Sequence, residues 1–368
     1  MTIGLHVNIV SPHQLPLAHA LVQLVGTENF RYVAQEPVHA ERASLGWGTA
    51  SADWILSSAE RPEEARAWLE SCDLLVSGFR ELDLFERRCA AGRTTCYTGE
   101  RWFKPPVGRL RMLVPCFRRM AKRFTCLLNA SSSFHALPIG IHAARDFAWL
   151  MGARVTDFDA VPMGRVNGAG AGLDKLRLWG YFVDPGRADE ADRAWNPKEP
   201  VRVLWVGRYL KLKHVDDIVR AVAAANRARP GGFALDLYGQ GPDEARVRKV
   251  AAGWPFVQFH PAVPIAEVRR LMRAHDVYAF ASDGYEGWGA VVSEALEEGM
   301  CVFASEACGA GATLLPQAQR FKTGDWRRLS RLFLDFTRPA ARAAGIGSWS
   351  AEQAARNLMA FAEEVNRA

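Results

Sequence analysis

Two glutamates, Glu286 and Glu294, stand with seven residues between them inside Gly284–Gly299, which reads GYEGWGAVVSEALEEG. Gly287-Trp288-Gly289 separates the first glutamate from a helical run, Ala290–Glu298, and Gly299 supplies its stop, because glycine enters the left-handed conformation without a Cβ clash. A helix opened by a glycine-rich turn leaves its first N–H groups unpaired and carries the positive pole of its dipole there. Such an end suits an anion such as a diphosphate. One carboxylate lies in the turn and the other about two turns into the helix, so they should meet different parts of one ligand. A glycosidase pair is disfavoured, since retaining hydrolysis needs two carboxyls about 5 Å apart across one bond. Fixed cations occur upstream: WVGRYLKLKH holds Gly207, Arg208 and Lys213, and LYGQGP holds Gly239 in a glycine-proline turn. Alone, Arg-x4-Lys is most simply solvated charge and GxGP a turn.

The elements around these residues alternate. In the second half, strands at Val201–Val206, Ala234–Tyr238, Val257–Phe259, Val277–Phe280 and Cys301–Ala304 take turns with helices Val215–Arg229, Asp243–Ala252, Ile265–His275 and Ala290–Glu298. That alternation predicts a doubly wound parallel sheet, whose ligands bind beyond the C-terminal ends of the strands. Gly207-Arg208, Gly239 and Glu286 all fall at such ends. The first half repeats the alternation through Ile3–Val10, Tyr32–Ala34, Leu74–Ser77 and Thr94–Tyr97, with helices at Pro16–Leu24, Pro62–Ser71 and Phe79–Ala91. Beyond it, Cys126–Asn129, Ala160–Pro162 and Leu178–Phe182 are candidate strands, with Ser133–Met151 mostly helical. The fold class expected is α/β, two Rossmann-like doubly wound domains facing a central cleft. Residues 1–185 form the first and 201–345 the second, with a Pro/Asp/Arg-rich linker at 186–200. An amphipathic helix lies within 346–368.

Composition narrows the class. The 368 residues are 49% hydrophobic and 23% charged, an ordinary globular balance and too long for one small core. Seven cysteines form no CxxC pair, which fits a reducing cytoplasm better than disulfides or zinc. No apolar run approaches the ~20 residues of a spanning helix, and the opening MTIGLHVNIV reads as a strand, not a signal peptide. The net charge of +6 is concentrated. Residues 101–128 hold eight Arg and Lys and no acid, interleaved with apolar side chains. Such a segment can lie on an anionic membrane, giving peripheral attachment at the inner face; the alternative is a helix with a solvated charged face. Nucleic acid is not an expected partner. Asp157-Phe158-Asp159 could hold a metal elsewhere, but it follows no convincing strand and reads as loop; no metal is expected.

Two such domains with this carboxylate pair resemble the retaining glycosyltransferases of family 4, of the GT-B fold. The resemblance is close over roughly residues 200–330 and rests on WVGRYLKLKH, LYGQGP, EGWGAVVSE, EACGAGATLL and RFKTGDWRRL, in that order. It implies a nucleotide-sugar donor, UDP being the expected nucleotide, with Glu286 on the sugar hydroxyls and Glu294 on the ribose. Arg208 and Lys213 would grip the diphosphate, backbone near Val263 would meet the base, and Gly207, Gly239, Gly287, Trp288 and Gly289 would shape the donor site. The resemblance also implies that the helix within 346–368 returns towards the first domain. A leaving diphosphate gains charge in the transition state, and one preorganised donor is typically worth ~3 kcal/mol. The first half departs from the family. Its first loop is Ser11–Pro16, carrying His13, and Glu100-Arg101 stand where a histidine is often found. His13, Glu100 and Arg101 are therefore the acceptor-side candidates: Glu100 to orient the acceptor hydroxyl, Arg101 to help hold a phosphate, and His13 to face either the acceptor or the donor phosphates. His135 reads as a satisfied histidine near a helix start. The acceptor would be a glycan or lipid-linked. The alternatives are a nucleotide-sugar epimerase, a phosphorylase, or a non-catalytic sugar-nucleotide-binding protein.

Overall fold

The computed structural model describes residues 1–38, 43, 51–184, 199–337 and 349–367. The chain divides into two compact units, Met1–Asp184 with Ser348–Ala368, and Pro185–Gly347. Residues 186–198 of the expected linker lie outside the described residues, as do 338–348, where the expected second domain ends.

In the first unit the strands are β1 (Ile3–Val7), β2 (Phe30–Ala34), β3 (Ile55–Ser57), β4 (Leu74–Ser77), β5 (Thr94–Gly99) and β6 (Phe134–Pro138). They form one parallel sheet in the order β3-β2-β1-β4-β5-β6. Every residue of β1, β4 and β6 is buried, as expected of strands covered on both faces by helices. A two-stranded antiparallel ribbon follows, β7 (Arg154–Phe158) with β8 (Val166–Ala169). The second unit repeats the plan with β9 (Val201–Arg208), β10 (Phe233–Gln240), β11 (Val257–His260), β12 (Val277–Phe280), β13 (Cys301–Ser305) and β14 (Arg320–Phe321). Its parallel order is β11-β10-β9-β12-β13-β14. Both sheets therefore reverse direction of growth beside their first strand, between β1 and β4 and between β9 and β12. Loops leaving these strands diverge to opposite faces, which opens a crevice where ligands of such sheets bind.

The helix Ala351–Arg367 belongs to the first unit. It buries Ala351, Ala354, Ala355, Leu358, Phe361 and Ala362, and its Asn366 accepts a 2.8 Å hydrogen bond from the Thr94 hydroxyl. Several local expectations differ from the structure. Cys126–Asn129 is not a strand but the end of the helix Pro115–Ala130, whose buried stripe Phe117, Ala121, Phe124, Leu128 has helical spacing. Ala160–Pro162 is irregular, and Leu178–Phe182 contributes only an isolated bridge, Ile139 to Trp179. Asp157-Phe158 does lie on a strand, β7. His135 sits within β6 rather than near a helix start: it is buried, bonded to the Ser132 carbonyl at 2.9 Å and edge-on to Phe361. Burial and the nearby Lys175 charge push it down to about 4, so it stays neutral in the core.

Candidate functional site

In the second domain β9 and β12 deliver the cations and the first carboxylate to the same crevice. β9 ends at Arg208, which is exposed, and the chain passes through the short turn Lys211–Lys213 into the helix Val215–Ala228. Lys213 Nζ donates to Glu286 Oε2 and lies 5.3 Å from the centre of the Phe280 ring. Both partners are largely shielded, at 17% and 19% side-chain exposure, so this contact is stronger than a surface ion pair. The two loops that carry them are joined directly: the Asp283 N–H donates to the Leu212 carbonyl at 2.9 Å. His214, left-handed at φ 47°, faces Asp217 at 3.3 Å and Asp283 at 3.5 Å. Its hydrogen bond to Asp217 raises its pKa above the ordinary histidine value.

The glycine turn is held from below. Trp288 is fully buried, its indole N–H donating to Ser293 at 3.1 Å. The N–H groups of Gly309 and Ala310 bond the carbonyls of Gly287 and Trp288 at 3.0 and 2.8 Å. Gly289 takes φ 85° as the cap of the helix Ala290–Glu297, and a Cβ there would meet Phe280 at 2.9 Å. EACGAGATLL, read as a glycine-rich loop, contains a short helix, Gly309–Leu314, capped by Cys308, whose thiol accepts from Gly311 N–H and is pushed up by burial to about 12. Glu294 is buried inside the Ala290–Glu297 helix. Tyr278 is raised chiefly by burial, and the charges of Glu294 and Glu286 add to the shift in the same direction. Gly239 pairs with Gly207 across β10 and β9, and Val263 follows β11 at the sheet's edge.

In the first domain a pocket of about 400 Å³ opens at the crevice between β1 and β4. Asn8 follows β1, Arg80 follows β4, and Thr98 to Trp102 lie at and beyond the end of β5. Glu100 and Arg101 line it; His13 does not. Glu100 accepts from Lys104 at 2.9 Å and from the Tyr181 hydroxyl at 3.4 Å. Arg101 Nε lies 3.7 Å from Asp146, whose pKa is raised by burial. His13 instead accepts from the Phe182 N–H at 3.1 Å through its carbonyl. Sequence reasoning missed Arg80, Thr98 and Tyr181 here. The rule that located Arg208, that ligand residues follow the strands, would have found the first two.

Residues 200–325 match the family described as glycosyl transferases group 1. They carry a group 1 glycosyltransferase domain. A curated relative, the UDP-N-acetylglucosamine–peptide N-acetylglucosaminyltransferase GtfA subunit of Streptococcus pneumoniae, is 26% identical over 118 residues, which is 32% of this chain and 23% of the relative. The chain thus spans about a quarter of the length of that relative. Among solved structures, Anabaena Alr3699/HepE in complex with UDP and glucose aligns over 100% of this chain and 97% of its own, at 14% identity and a TM-score of 0.56. Trehalose-6-phosphate synthase OtsA aligns over 99% of both chains at 10% identity and a TM-score of 0.63. These likenesses are of fold: two doubly wound α/β domains of the GT-B class, one of them a group 1 domain.

Proposed function

We infer that the protein is a retaining, metal-independent glycosyltransferase that moves a sugar from a nucleoside-diphosphate sugar to an acceptor hydroxyl, in glycan, polysaccharide or glycolipid synthesis. UDP is the expected nucleotide. The carrying observation is Lys213 and Glu286 meeting at the β9/β12 crevice of a group 1 domain. Arg208 and Lys213 take the diphosphate, with the start of the Ala290–Glu297 helix behind them. Glu286 exchanges its lysine partner for sugar hydroxyls, and Glu294 holds the ribose. Cations fixed before the reaction need no reorganisation as the diphosphate gains charge. The departing phosphate oxygen takes the proton of the attacking hydroxyl on the same face. The first-domain pocket holds the acceptor, Glu100 orienting its hydroxyl.

Glu286→Ala tests this directly. Transfer, followed as UDP release with acceptor present, should fall at least about a hundredfold, while UDP binding by calorimetry persists. Unchanged transfer would reject the role of Glu286. Turnover of the nucleotide sugar without acceptor would indicate an epimerase, phosphate dependence a phosphorylase, and binding without turnover a non-catalytic protein.

We propose in addition that the protein attaches peripherally to the inner face of a membrane. Val107, Leu110, Leu113 and Val114 are 52%, 66%, 75% and 45% exposed around the short turn Gly108–Leu113. Arg118, Arg119 and Lys122 are exposed on the following helix. Apolar side chains beside cations suit the interface of an anionic bilayer.

A further inference from the structure

The first-domain pocket carries information about the acceptor itself, resting on the reading of that domain as the acceptor side. Four cations, Arg80, Arg101, Lys104 and Arg111, line it against one carboxylate, Glu100. That carboxylate is already engaged by Lys104 and Tyr181. Thr98 is 5% exposed, and its Oγ1, at the pocket, has no hydrogen-bond partner. Arg101 Nε is likewise buried without one. A buried polar atom costs free energy until a partner arrives; the Thr98 hydroxyl awaits a ligand atom, whereas Arg101 Nε already faces the Asp146 carboxylate at 3.7 Å. Arg111 is held ready, its Nη1 donating to the Trp102 carbonyl at 3.2 Å and its guanidinium over Phe117. Arg80 lies over the Trp102 ring at 5.4 Å.

An uncharged sugar needs acceptors for its hydroxyl protons, and guanidinium and ammonium groups accept none. A phosphate ester offers several strong acceptor oxygens and negative charge, and pairs bidentately with arginine. We propose that this pocket binds a phosphate group carried by the acceptor. The phosphate can belong to a soluble sugar phosphate or to a lipid-linked one. Leu110 and Leu113, on either side of Arg111, make the second source as accessible as the first.

The test titrates the full chain at low ionic strength with a hexose monophosphate, the same unphosphorylated hexose, and inorganic phosphate. The phosphorylated sugar should bind at least about tenfold tighter than the plain one, and Arg80→Ala and Lys104→Ala should each weaken it about tenfold. Thr98→Val should weaken it severalfold without lowering the melting temperature. The first domain's own unfolding transition, followed by calorimetry on every variant, reports that its pocket is folded, and UDP binding is measured alongside. A parallel arm uses phosphatidylcholine vesicles with and without a polyprenyl phosphate, again comparing the Arg80 and Lys104 variants. Phosphate-dependent binding in either arm, lost in those variants, supports the proposal and names the source. Equal binding of both sugars together with no polyprenyl-phosphate dependence overturns it, as does phosphate binding indifferent to both substitutions. If UDP fails to bind while phosphate does, the transferase reading falls and the phosphate site stands.

Discussion

The contact between Lys213 and Glu286 depends on its neighbour in the chain. His214 adopts φ 47°, a conformation few side chains take willingly, and links Asp217 at the start of its own helix to Asp283, three residues before Glu286. Its pKa is raised, by the Asp217 hydrogen bond first. A raised pKa adds stability that is fully present below the unfolded value of about 6.5 and disappears as pH climbs through the higher folded value. His214→Asn tolerates the same backbone angle but cannot be charged. The melting-temperature gap between wild type and His214→Asn should therefore be widest near about pH 5.5 and narrow by about pH 8.5. A gap that is flat or grows with pH would mean the imidazolium holds nothing together. Residues of this kind were half legible: Arg208, Lys213, Glu286 and Glu294 became candidates through the ordered motifs that carry the family resemblance, whereas His214 gives no sequence signal because its role is a backbone angle and two partners brought by folding.

Among elements, the pairing of β9 with β10 sets where the cations emerge. Gly239 at φ 153° stands opposite Gly207, and a Cβ there would come within 1.8 Å of the Gly207 carbonyl oxygen. Gly239→Ala must push the two strand ends apart; we expect a loss of about 2 kcal/mol or more, a fall in melting temperature of about 5 °C, and weaker UDP binding. An unchanged melting curve would show that this close approach is dispensable. The strands of the second half were legible because each is a short apolar run between helical patterns. Cys126–Asn129 misled because three consecutive apolar residues at the end of a helix look the same as a short strand. β3 and β14, three and two residues long, are too short to show a period. The helix that absorbed Cys126–Asn129 also revises the basic segment. Arg123 is held by Asp83 and Glu86, the latter at 2.6 Å, and so is spent within the fold. Binding to anionic vesicles should fall strongly in Leu110→Glu/Leu113→Glu and by about 1 kcal/mol per charge when Arg118, Arg119 or Lys122 is neutralised. Arg123→Ala should barely change it. Co-sedimentation that ignores the leucines but follows Arg123 would place the contact elsewhere.

At the scale of the molecule, the chain leaves its first domain, builds the second, and ends in the first again. The last helix is part of the first domain's core: Leu358 and Phe361 are buried, Phe361 against His135, and Asn357 donates to the Pro162 carbonyl at 2.8 Å. Two large apolar side chains fully buried contribute about 2 kcal/mol each, and the surface they cover on Leu15–Val25 and β5 would be exposed as well. That is a large part of the 5–15 kcal/mol that separates a typical domain from its unfolded state. A chain ending at residue 347 should therefore lose or sharply lower the first domain's unfolding transition. Its second domain, built on its own core of Val203, Trp205, Leu235, Leu237 and Phe333, should keep a transition that UDP moves upward. Calorimetry with and without UDP separates the two. If truncation lowers the UDP-sensitive transition by as much as the other, the helix supports both domains and the two cannot be treated as independent cores.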